Sequence, residues 1–244
     1  MTNPDPPRAK VLEVHTHLCA AYGAPFPFFR DVDPLTELVG SLLSHRTKNA
    51  DSGRALVSLT QRFRNWEAVM DAPVEEVREA IRAATWPEQK APRLQGALRY
   101  IEQNRGELSL EFLAEMPPLE AQAWLEAIPG VGPKTSAAVL LFSRLHLPAL
   151  PVDSHHHRVA GRLGWIAENI GPGPAHNLLL ALLPPEWPAQ TLYDHHEALM
   201  FHGQRCCFYR NPACGRCPVL ELCPDGQART RDSGPQTPEV GLTG

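Results

Sequence analysis

The stretch LEAIPGVGPKTSAAVLLF, residues 125–142, decides the fold that we predict for this chain. A helix is expected to end near Ile128, a tight Pro-Gly-Val-Gly-Pro turn follows, and a second helix starts at about Lys134. Gly130 and Gly132 permit backbone conformations that other residues resist, and they let a phosphate approach bare N–H groups. The N-terminus of the second helix adds unpaired N–H groups and the positive end of its dipole.

This pattern indicates a helix-hairpin-helix that clamps a DNA backbone without reading its sequence. The predicted backbone contacts are Gly130, Val131 and Gly132. An ordinary αα-hairpin is the alternative, because glycine and proline are also normal residues in such turns.

Helical periodicity extends outward from the hairpin over most of the chain. In DPLTELVGSLLSHRT, residues 33–47, apolar residues recur at helical spacing, with Asp33 as the N-cap and Pro34 at the first helical position. Similar faces appear in VEEVREAIRAA and in APRLQGALRYIEQ, and 25 prolines divide the chain into short helices. No run of alternating β-branched residues is convincing, so the sequence predicts an all-α fold.

Four cysteines are concentrated in HGQRCCFYRNPACGRCPVLELC, residues 202–223, where Cys207, Cys214, Cys217 and Cys223 follow the pattern C-x6-C-x2-C-x5-C. Four thiolates suit a [4Fe-4S] cluster or a tetrahedral zinc ion, and disulfides are a third alternative. Structural zinc sites more often use two short CxxC knuckles, and only one is present here. The uneven wider spacings therefore favour an iron–sulfur cluster wrapped by an irregular loop.

The bulk composition limits the classes of function. The chain has 244 residues, a hydrophobic fraction of 43% and a net charge of −4, which argues mildly against bulk nonspecific nucleic-acid binding. No apolar run is long enough to span a membrane, and the N-terminus has no apolar core typical of a secretory signal. With cysteine concentrated in one cluster, we expect a cytoplasmic protein. We also expect it to be nucleoid-associated and monomeric. Residues 1–8 and 226–244 are predicted to be disordered.

Three motifs agree in order and spacing: the hairpin with Lys134, the stretch PVDSHHHRVAGRLG with Asp153, and the cysteine cluster. In these motifs the chain resembles endonuclease III, the bifunctional pyrimidine-damage branch of the helix-hairpin-helix DNA glycosylases, over about residues 10–225. The resemblance implies two all-α lobes with DNA in the cleft between them, and it favours a [4Fe-4S] cluster over zinc. The lobes it implies are a six-helix barrel at about 33–146, which contains the hairpin at about 125–142, and a discontinuous cluster lobe at 9–32 and 147–225.

The resemblance also implies the chemistry of two residues. Lys134 would be the nucleophile, since positive potential at a helix N-terminus lowers an amine pKa and a neutral amine can attack the sugar C1′. The resulting Schiff base permits β-elimination and a strand nick. Asp153 would help to activate the nucleophile and stabilise the cationic sugar. A simple phosphate contact is the alternative for Lys134, and a helix N-cap is the alternative for Asp153.

Two loops are predicted to fill the gap that base extrusion leaves in the duplex. The family usually has Gln-Ala-Thr or Gln-Gln-Thr in the first loop, where this chain has His45-Arg46-Thr47. In the second loop Trp86 stands where an apolar wedge is expected, and Lys90 follows it. We predict that His45, Arg46, Trp86 and Lys90 contact DNA, although Trp86 could pack against its own lobe instead.

Three functions compete. The first is a bifunctional glycosylase and lyase acting on oxidised or damaged pyrimidines or abasic sites in double-stranded DNA. The second is a monofunctional adenine glycosylase, which Lys134 opposes, as does Ser41 at the position of that branch's catalytic glutamate. The third is a damage-recognising DNA-binding protein with weak or no glycosylase activity. The run of residues 155–157, three histidines, does not predict a metal site, because consecutive helical side chains diverge.

Overall fold

A computed structural model describes residues 6–28 and 31–232 of the chain. The regular structure of these residues is entirely helical, so the all-α prediction is confirmed. The α-helices are α1 (Pro6–Tyr22), α2 (Pro34–Ser44), α3 (Asn49–Arg62), α4 (Trp66–Asp71), α5 (Val74–Ala80), α6 (Pro87–Arg105), α7 (Pro118–Glu126), α8 (Pro133–Phe142), α9 (Ser154–Arg162), α10 (Pro172–Leu182), α11 (Ala189–Arg205) and α12 (Pro224–Asp232). Short 3-10 turns lie at Glu111–Glu115, Cys214–Arg216 and Leu220–Leu222. In the described ranges, none of the helices combines the length and the apolar character needed to cross a membrane.

Helix α2 begins as its sequence predicts. The carboxylate of Asp33 accepts the N–H of Thr36 at 2.9 Å, and Pro34 is the first helical residue. An N-cap of this kind is worth about 1 kcal/mol, since it satisfies an amide that the helix leaves without a partner. The cap fixes the start of the helix whose C-terminal end leads into the His45–Thr47 loop.

The chain divides into two compact units. The first, which we call the cysteine unit, comprises Met1–Phe26, Val152–Pro185 and Asp194–Gly244. The second, which we call the hairpin unit, comprises Pro27–Pro151 and Glu186–Tyr193. The sequence predicts these boundaries at about residues 33 and 146.

The core of the hairpin unit is built from one face of each of its longer helices. Helix α2 packs against α8 and α3, and α6 packs against α4 and α5. Fully buried side chains from these helices meet there, among them Leu38, Leu59, Leu98, Ile101 and Leu140. Burying such a side chain is worth about 1.5–3 kcal/mol, so this core stabilises the helices that carry the hairpin and its neighbouring loops.

The cysteine unit has its own smaller core. Val14 and Leu18 of α1 pack there with Val159 of α9 and Leu199 of α11. The side chain of Cys223 belongs to the same hydrophobic core. The apolar core therefore joins α1, α9 and α11 to the cysteine-rich loop.

The predicted disordered tails were too long. Residues 6–8 belong to α1, and residues 226–232 belong to α12. The guanidinium of Arg8 donates to the carbonyls of Leu182 and Leu183 at 3.3 and 3.0 Å, and Gln227 donates to the carbonyl of Glu221 at 2.7 Å. These contacts to distant or neighbouring elements order segments whose composition alone suggests disorder. The remaining predicted tail residues lie outside the described ranges.

Candidate functional site

The hairpin turn joins α7 to α8 in the hairpin unit. Gly130 has φ +88°, in the left-handed region that favours glycine, so this turn requires a glycine there. The carbonyl of Gly132, the N-cap of α8, accepts the N–H groups of Thr135 and Ser136 at 2.9 and 3.0 Å. Val131 is buried, and its own N–H donates to the Ile128 carbonyl at 3.0 Å. Val131 therefore offers neither side chain nor amide to a phosphate, which argues against the contact predicted for it.

Lys134 is the second residue of α8 and so lies in its first turn, where N–H groups and the helix dipole create positive potential. The start of this helix is held in place by Ser136. Its hydroxyl donates to a carboxylate oxygen of Glu126 at 2.9 Å and lies 3.0 Å from the Pro133 carbonyl. The predicted nucleophile therefore stands on a fixed helix start rather than on a free loop.

His45 is tied to the same helix start. Its Nε2 lies 2.9 Å from the hydroxyl of Thr135, the residue that follows Lys134. Desolvation of the ring lowers the pKa of His45, and the positive charges of Lys134, Lys90 and Arg93 lower it further. The imidazole is therefore neutral at neutral pH. To enter a DNA duplex as predicted, this ring would have to leave Thr135.

Lys90 has a different place from the one that the sequence predicted. Its side chain is buried, and its ammonium donates to the carbonyls of Leu43 and His45 at 2.6 and 2.8 Å and to the hydroxyl of Thr47 at 2.7 Å. These three bonds use the three donors of an ammonium group. Lys90 thus stabilises the His45–Thr47 loop through these hydrogen bonds. The DNA contact predicted for Lys90 does not fit this buried position.

Arg46 and Trp86 line a cavity of about 380 Å³ within the hairpin unit. Both have positive φ, 50° and 55°, which is uncommon for residues with a side chain and costs conformational energy. Trp86 leaves 45% of its surface exposed, so it is not packed away into its own unit. The cavity wall also includes His45, Gln89, Arg93 and Gly130. An exposed indole beside two guanidinium groups can stack on a base and attract phosphate.

Asp153 is the N-cap of α9 in the cysteine unit, as the alternative interpretation predicted. Its carboxylate accepts the N–H of His156 at 2.7 Å. Burial acts to raise the pKa of Asp153, but the interaction with His196 and the bond from His156 outweigh it and hold the pKa below the ordinary value. The residue therefore remains an ionised carboxylate while it caps the helix.

Glu197 is a neighbour of Asp153 that the sequence analysis did not single out. Burial, followed by the charge of Asp153, raises the pKa of Glu197 to about 7. Proximity to a second carboxylate cannot be read from the sequence, because Asp153 precedes α9 whereas Glu197 lies in α11.

Arg158 and Gly203 are also functional candidates that sequence reasoning missed. The guanidinium of Arg158 donates to the carbonyl of Gly203 at 2.8 Å and to that of Cys207 at 3.1 Å. A Cβ added to Gly203 would lie 2.7 Å from the Cβ of His155. This glycine allows α9 and α11 to approach closely, and Arg158 connects the helix capped by Asp153 to the cysteine loop. An isolated glycine inside a helical pattern was the available signal.

The three consecutive histidines occupy separate environments. His155 lies 3.1 Å from the guanidinium of Arg158, and Nε2 of His157 lies 2.8 Å from the carbonyl of Ile170. His156 is fully buried, with no hydrogen-bond partner for either ring nitrogen among the described residues. The three rings therefore have structural surroundings that differ from one another.

The four predicted cluster ligands, Cys207, Cys214, Cys217 and Cys223, line one cavity of the cysteine unit. All four sulfurs are free thiols, which argues against the disulfide alternative. The guanidinium of Arg162 lies 3.1 Å from the sulfur of Cys207, and the N–H of Gly226 donates to the sulfur of Cys223 at 3.3 Å. Donors of this kind stabilise cluster thiolates, so the residues present fit an iron–sulfur cluster.

Two family models match the chain. Residues 39–185 match the HhH-GPD superfamily base excision DNA repair protein, and residues 210–223 match the iron-sulfur binding domain of endonuclease III. The first match spans α2 to α10, hence both the hairpin and Asp153. With the second match and the cysteine cavity, the cofactor is a [4Fe-4S] cluster.

Curated relatives fall into two groups. Endonuclease III of Synechocystis sp. is 30% identical over 196 residues, which are 80% of this chain and 83% of that protein. Endonuclease III of Thermotoga maritima is 29% identical, with 80% and 84% covered. DNA glycosylase/AP lyase ROS1 of Arabidopsis thaliana is 32% identical over 65% of this chain, but the chain spans only 12% of that protein's length.

Solved structures share the fold. A trapped covalent intermediate of endonuclease III with DNA has a TM-score of 0.76 and 22% identity, covering 95% of this chain and all of that one. A thermostable thymine-DNA glycosylase has a TM-score of 0.71, also at 22% identity, with 91% and 97% covered. At these identities the likeness shows the fold alone.

Proposed function

Because the chain belongs to the HhH-GPD superfamily of base excision DNA repair proteins, in its endonuclease III-like branch, we propose that it is a DNA glycosylase with AP lyase activity. Its substrates would be oxidised or damaged pyrimidines and abasic sites in double-stranded DNA. The observation that carries the proposal is Lys134 in the first turn of α8, directly after the glycine hairpin.

In the proposed reaction the neutral amine of Lys134 attacks C1′ of the damaged nucleotide. The bond between C1′ and the base breaks, and the base leaves with its electron pair and takes up a proton. The attached nitrogen then loses one proton, and its lone pair breaks the bond between C1′ and the ring oxygen O4′, which takes up a proton; this gives a protonated Schiff base. Loss of a C2′ proton then expels the 3′ phosphate by β-elimination and nicks the strand.

Asp153 is proposed to stabilise the positive charge that develops on the sugar as the base departs. Its depressed pKa keeps the carboxylate ionised at neutral pH, which such a role requires. The cap bond from His156 fixes one of its oxygens, so the other is the one available for catalysis.

The proposed ligands of the [4Fe-4S] cluster are Cys207, Cys214, Cys217 and Cys223. When bound, the cluster supplies iron–thiolate bonds that fix the fold of this loop. The chain itself connects this loop to α9, because Arg158 of α9 donates a hydrogen bond to the Cys207 carbonyl. Asp153 caps the same helix.

A monofunctional glycosylase is less well supported. The hydroxyl of Ser41 in α2, at the position of that branch's catalytic glutamate, donates to buried Glu37 at 3.1 Å and carries no charge. A DNA-binding protein without catalysis would leave unexplained why both a first-turn lysine and an ionised, half-buried aspartate are present.

The test is borohydride trapping on duplexes that carry thymine glycol, dihydrouracil or an abasic site. We expect a covalent adduct with the wild-type chain and none with Lys134→Ala, while DNA binding changes little. Lys48→Ala, which removes an exposed lysine of the same unit, should still trap. Base loss without an adduct would indicate a monofunctional enzyme, and binding without base loss would indicate a recognition protein.

A further inference from the structure

We propose that the cavity lined by the cluster cysteines offers a second set of metal ligands, His202, Cys206 and Cys217, which binds a single zinc ion when the iron–sulfur cluster is absent. Two of these residues, His202 and Cys206, are not among the predicted cluster ligands. The third is shared with the cluster, so the two metal states exclude each other.

The geometry of the three side chains carries the proposal. One ligand atom from each of the three lies within 4.8 Å of the other two, and Nε2 of His202 lies 3.7 Å from the sulfur of Cys217. Small side-chain adjustments bring such a triangle to the zinc–nitrogen and zinc–sulfur distances of about 2.0 to 2.3 Å. The sulfurs of the four cluster cysteines need not converge on one point in this way, because each of them binds a different iron of the cluster.

Tyr22 supplies a second, independent observation. Its hydroxyl lies 3.0 Å from Nδ1 of His202, whereas the sulfur of Cys217 lies near Nε2, the other ring nitrogen. A metal-binding histidine almost always has its other ring nitrogen held in this way, which fixes the ring orientation and directs one nitrogen toward the metal. The contact therefore presents Nε2 of His202 to the ion.

The chemistry of the donors selects the metal. Two thiolates and an imidazole suit zinc, and three protein ligands leave the fourth tetrahedral position to a water molecule. His202 and Cys206 are only 2% and 3% exposed, so the ion would be shielded on the protein side. Because His202 and Cys206 are one turn apart on α11 and its C-terminal end, the helix holds both ligands before metal arrives.

Because Cys217 is shared, zinc binding would interfere with insertion of the iron–sulfur cluster. A zinc ion bound there withholds one of the four sulfurs that the cluster needs. Zinc loading and cluster insertion therefore compete for the same chain, and iron scarcity with zinc excess favours the zinc form.

The first experiment measures metals in the full chain purified from iron-limited, zinc-supplemented cultures. Wild-type protein should contain about one zinc per chain in the fraction that lacks iron. Cys206→Ser should keep the wild-type iron content under iron-replete conditions but lose the zinc under iron limitation. Cys214→Ser should show the opposite pattern, with no iron and with zinc retained.

The second experiment titrates cluster-free full-length protein with cobalt(II) as a spectroscopic probe for zinc, after circular dichroism has verified its helicity. Thiolate-to-cobalt charge transfer should appear in wild type and in Cys214→Ser. Tyr22→Phe should weaken cobalt binding about 10- to 100-fold, the usual effect of losing a residue that orients a ligand. Cys206→Ser should weaken it more.

Two results would overturn the proposal. If Cys206→Ser binds zinc or cobalt as tightly as wild type, the ion sits on the four cluster cysteines. If Cys206→Ser loses its iron in iron-replete cells, Cys206 belongs to the cluster itself and the distinct zinc ligand set does not exist.

Discussion

At the scale of single residues, the chemistry of the predicted catalytic aspartate depends on two properties that one side chain combines. Asp153 caps α9 through a bond from the His156 N–H, and it keeps a negative charge although it is half-buried. Asparagine is as good an N-cap as aspartate, so the two properties can be separated by one substitution.

We expect Asp153→Asn to fold normally and to lose most base excision, because it keeps the capping oxygen but removes the charge. A loss of about 100- to 1,000-fold in single-turnover excision is typical when one group that stabilises developing charge is removed. Thermal melting of the same variant is the control and should stay near the wild-type value. Near-normal turnover would reduce Asp153 to a helix cap.

Arg46 and Trp86 should govern events in the duplex rather than the bond-breaking step. Both side chains face a cavity beside the hairpin from strained backbone positions. Stacking of a base on an aromatic side chain is worth about 1–3 kcal/mol, so Trp86→Ala should slow excision from paired DNA by about 10-fold. Arg46→Ala should also change the preference for the opposite base.

The measurement for these two variants compares single-turnover excision from paired, mismatched and single-stranded lesion DNA. The loss should shrink when the lesion is already unpaired, since extrusion then costs less. Arg64→Ala, an exposed arginine of the same unit, serves as the charge control. Equal losses on all three substrates would show that Trp86 and Arg46 support the fold or the pocket instead.

At the scale of secondary-structure elements, the close approach of α9 and α11 positions Asp153 relative to the cysteine loop. A Cβ on Gly203 would lie 2.7 Å from the Cβ of His155 and 3.1 Å from the guanidinium of Arg158, which are closer than such atoms normally come. One methyl group at this position therefore forces the two helices apart.

We expect Gly203→Ala to destabilise the chain by about 1–3 kcal/mol, the usual cost of overpacking, and to lower cluster retention. Gly96→Ala is the matched control, because Gly96 also lies inside a helix but its added Cβ would meet nothing within 4 Å. The free energy of unfolding of Gly96→Ala should rise by about 0.5–1 kcal/mol, because alanine favours a helix more than glycine does. Denaturant unfolding and iron analysis check both variants; unchanged stability of Gly203→Ala would show that the helices adjust without cost.

The sequence predicts elements better than it predicts contacts between them. The hairpin, the cap at Asp33 and the helical character of the chain follow from local patterns, and all are present. The buried position of Lys90 does not follow, because its partners lie at the end of α2 and in the loop after it, more than 40 residues away along the chain. Gly203 was missed for the same reason: only the fold brings His155 against it.

At the scale of the whole molecule, stability should depend on pH through buried histidines. His156 and His195 are fully buried, and burial, followed by interactions with neighbouring histidines, lowers both pKa values well below the ordinary value. Burial also lowers the pKa of His202 to about 4, with a further contribution from Arg158. These rings remain neutral in the folded chain but take up protons near pH 6.5 in the unfolded chain.

The sign of the effect follows from this difference. Below about pH 6.5 the unfolded chain binds more protons, so stability falls as the pH decreases, by up to about 1.4 kcal/mol per pH unit for each such histidine. Glu197 acts in the opposite sense, because its pKa in the folded chain is raised to about 7. Its contribution to the stability of the folded chain is lost as the pH rises toward that value. One carboxyl group does not outweigh several histidines.

His156→Leu isolates one of these contributions, since the ring nitrogens of His156 have no hydrogen-bond partner among the described residues and leucine leaves no unsatisfied polar atom. Between pH 7.5 and pH 5, the variant should lose less stability than wild type, by up to about 2 kcal/mol. Denaturant unfolding at several pH values measures this, with cluster absorbance recorded at each pH so that cluster loss is not mistaken for proton uptake. His17→Gln, which replaces an exposed histidine of the same unit, should follow the wild-type curve. Parallel curves for wild type and His156→Leu would mean that His156 does not gain a proton on unfolding, and the acid sensitivity would then have to come from other groups.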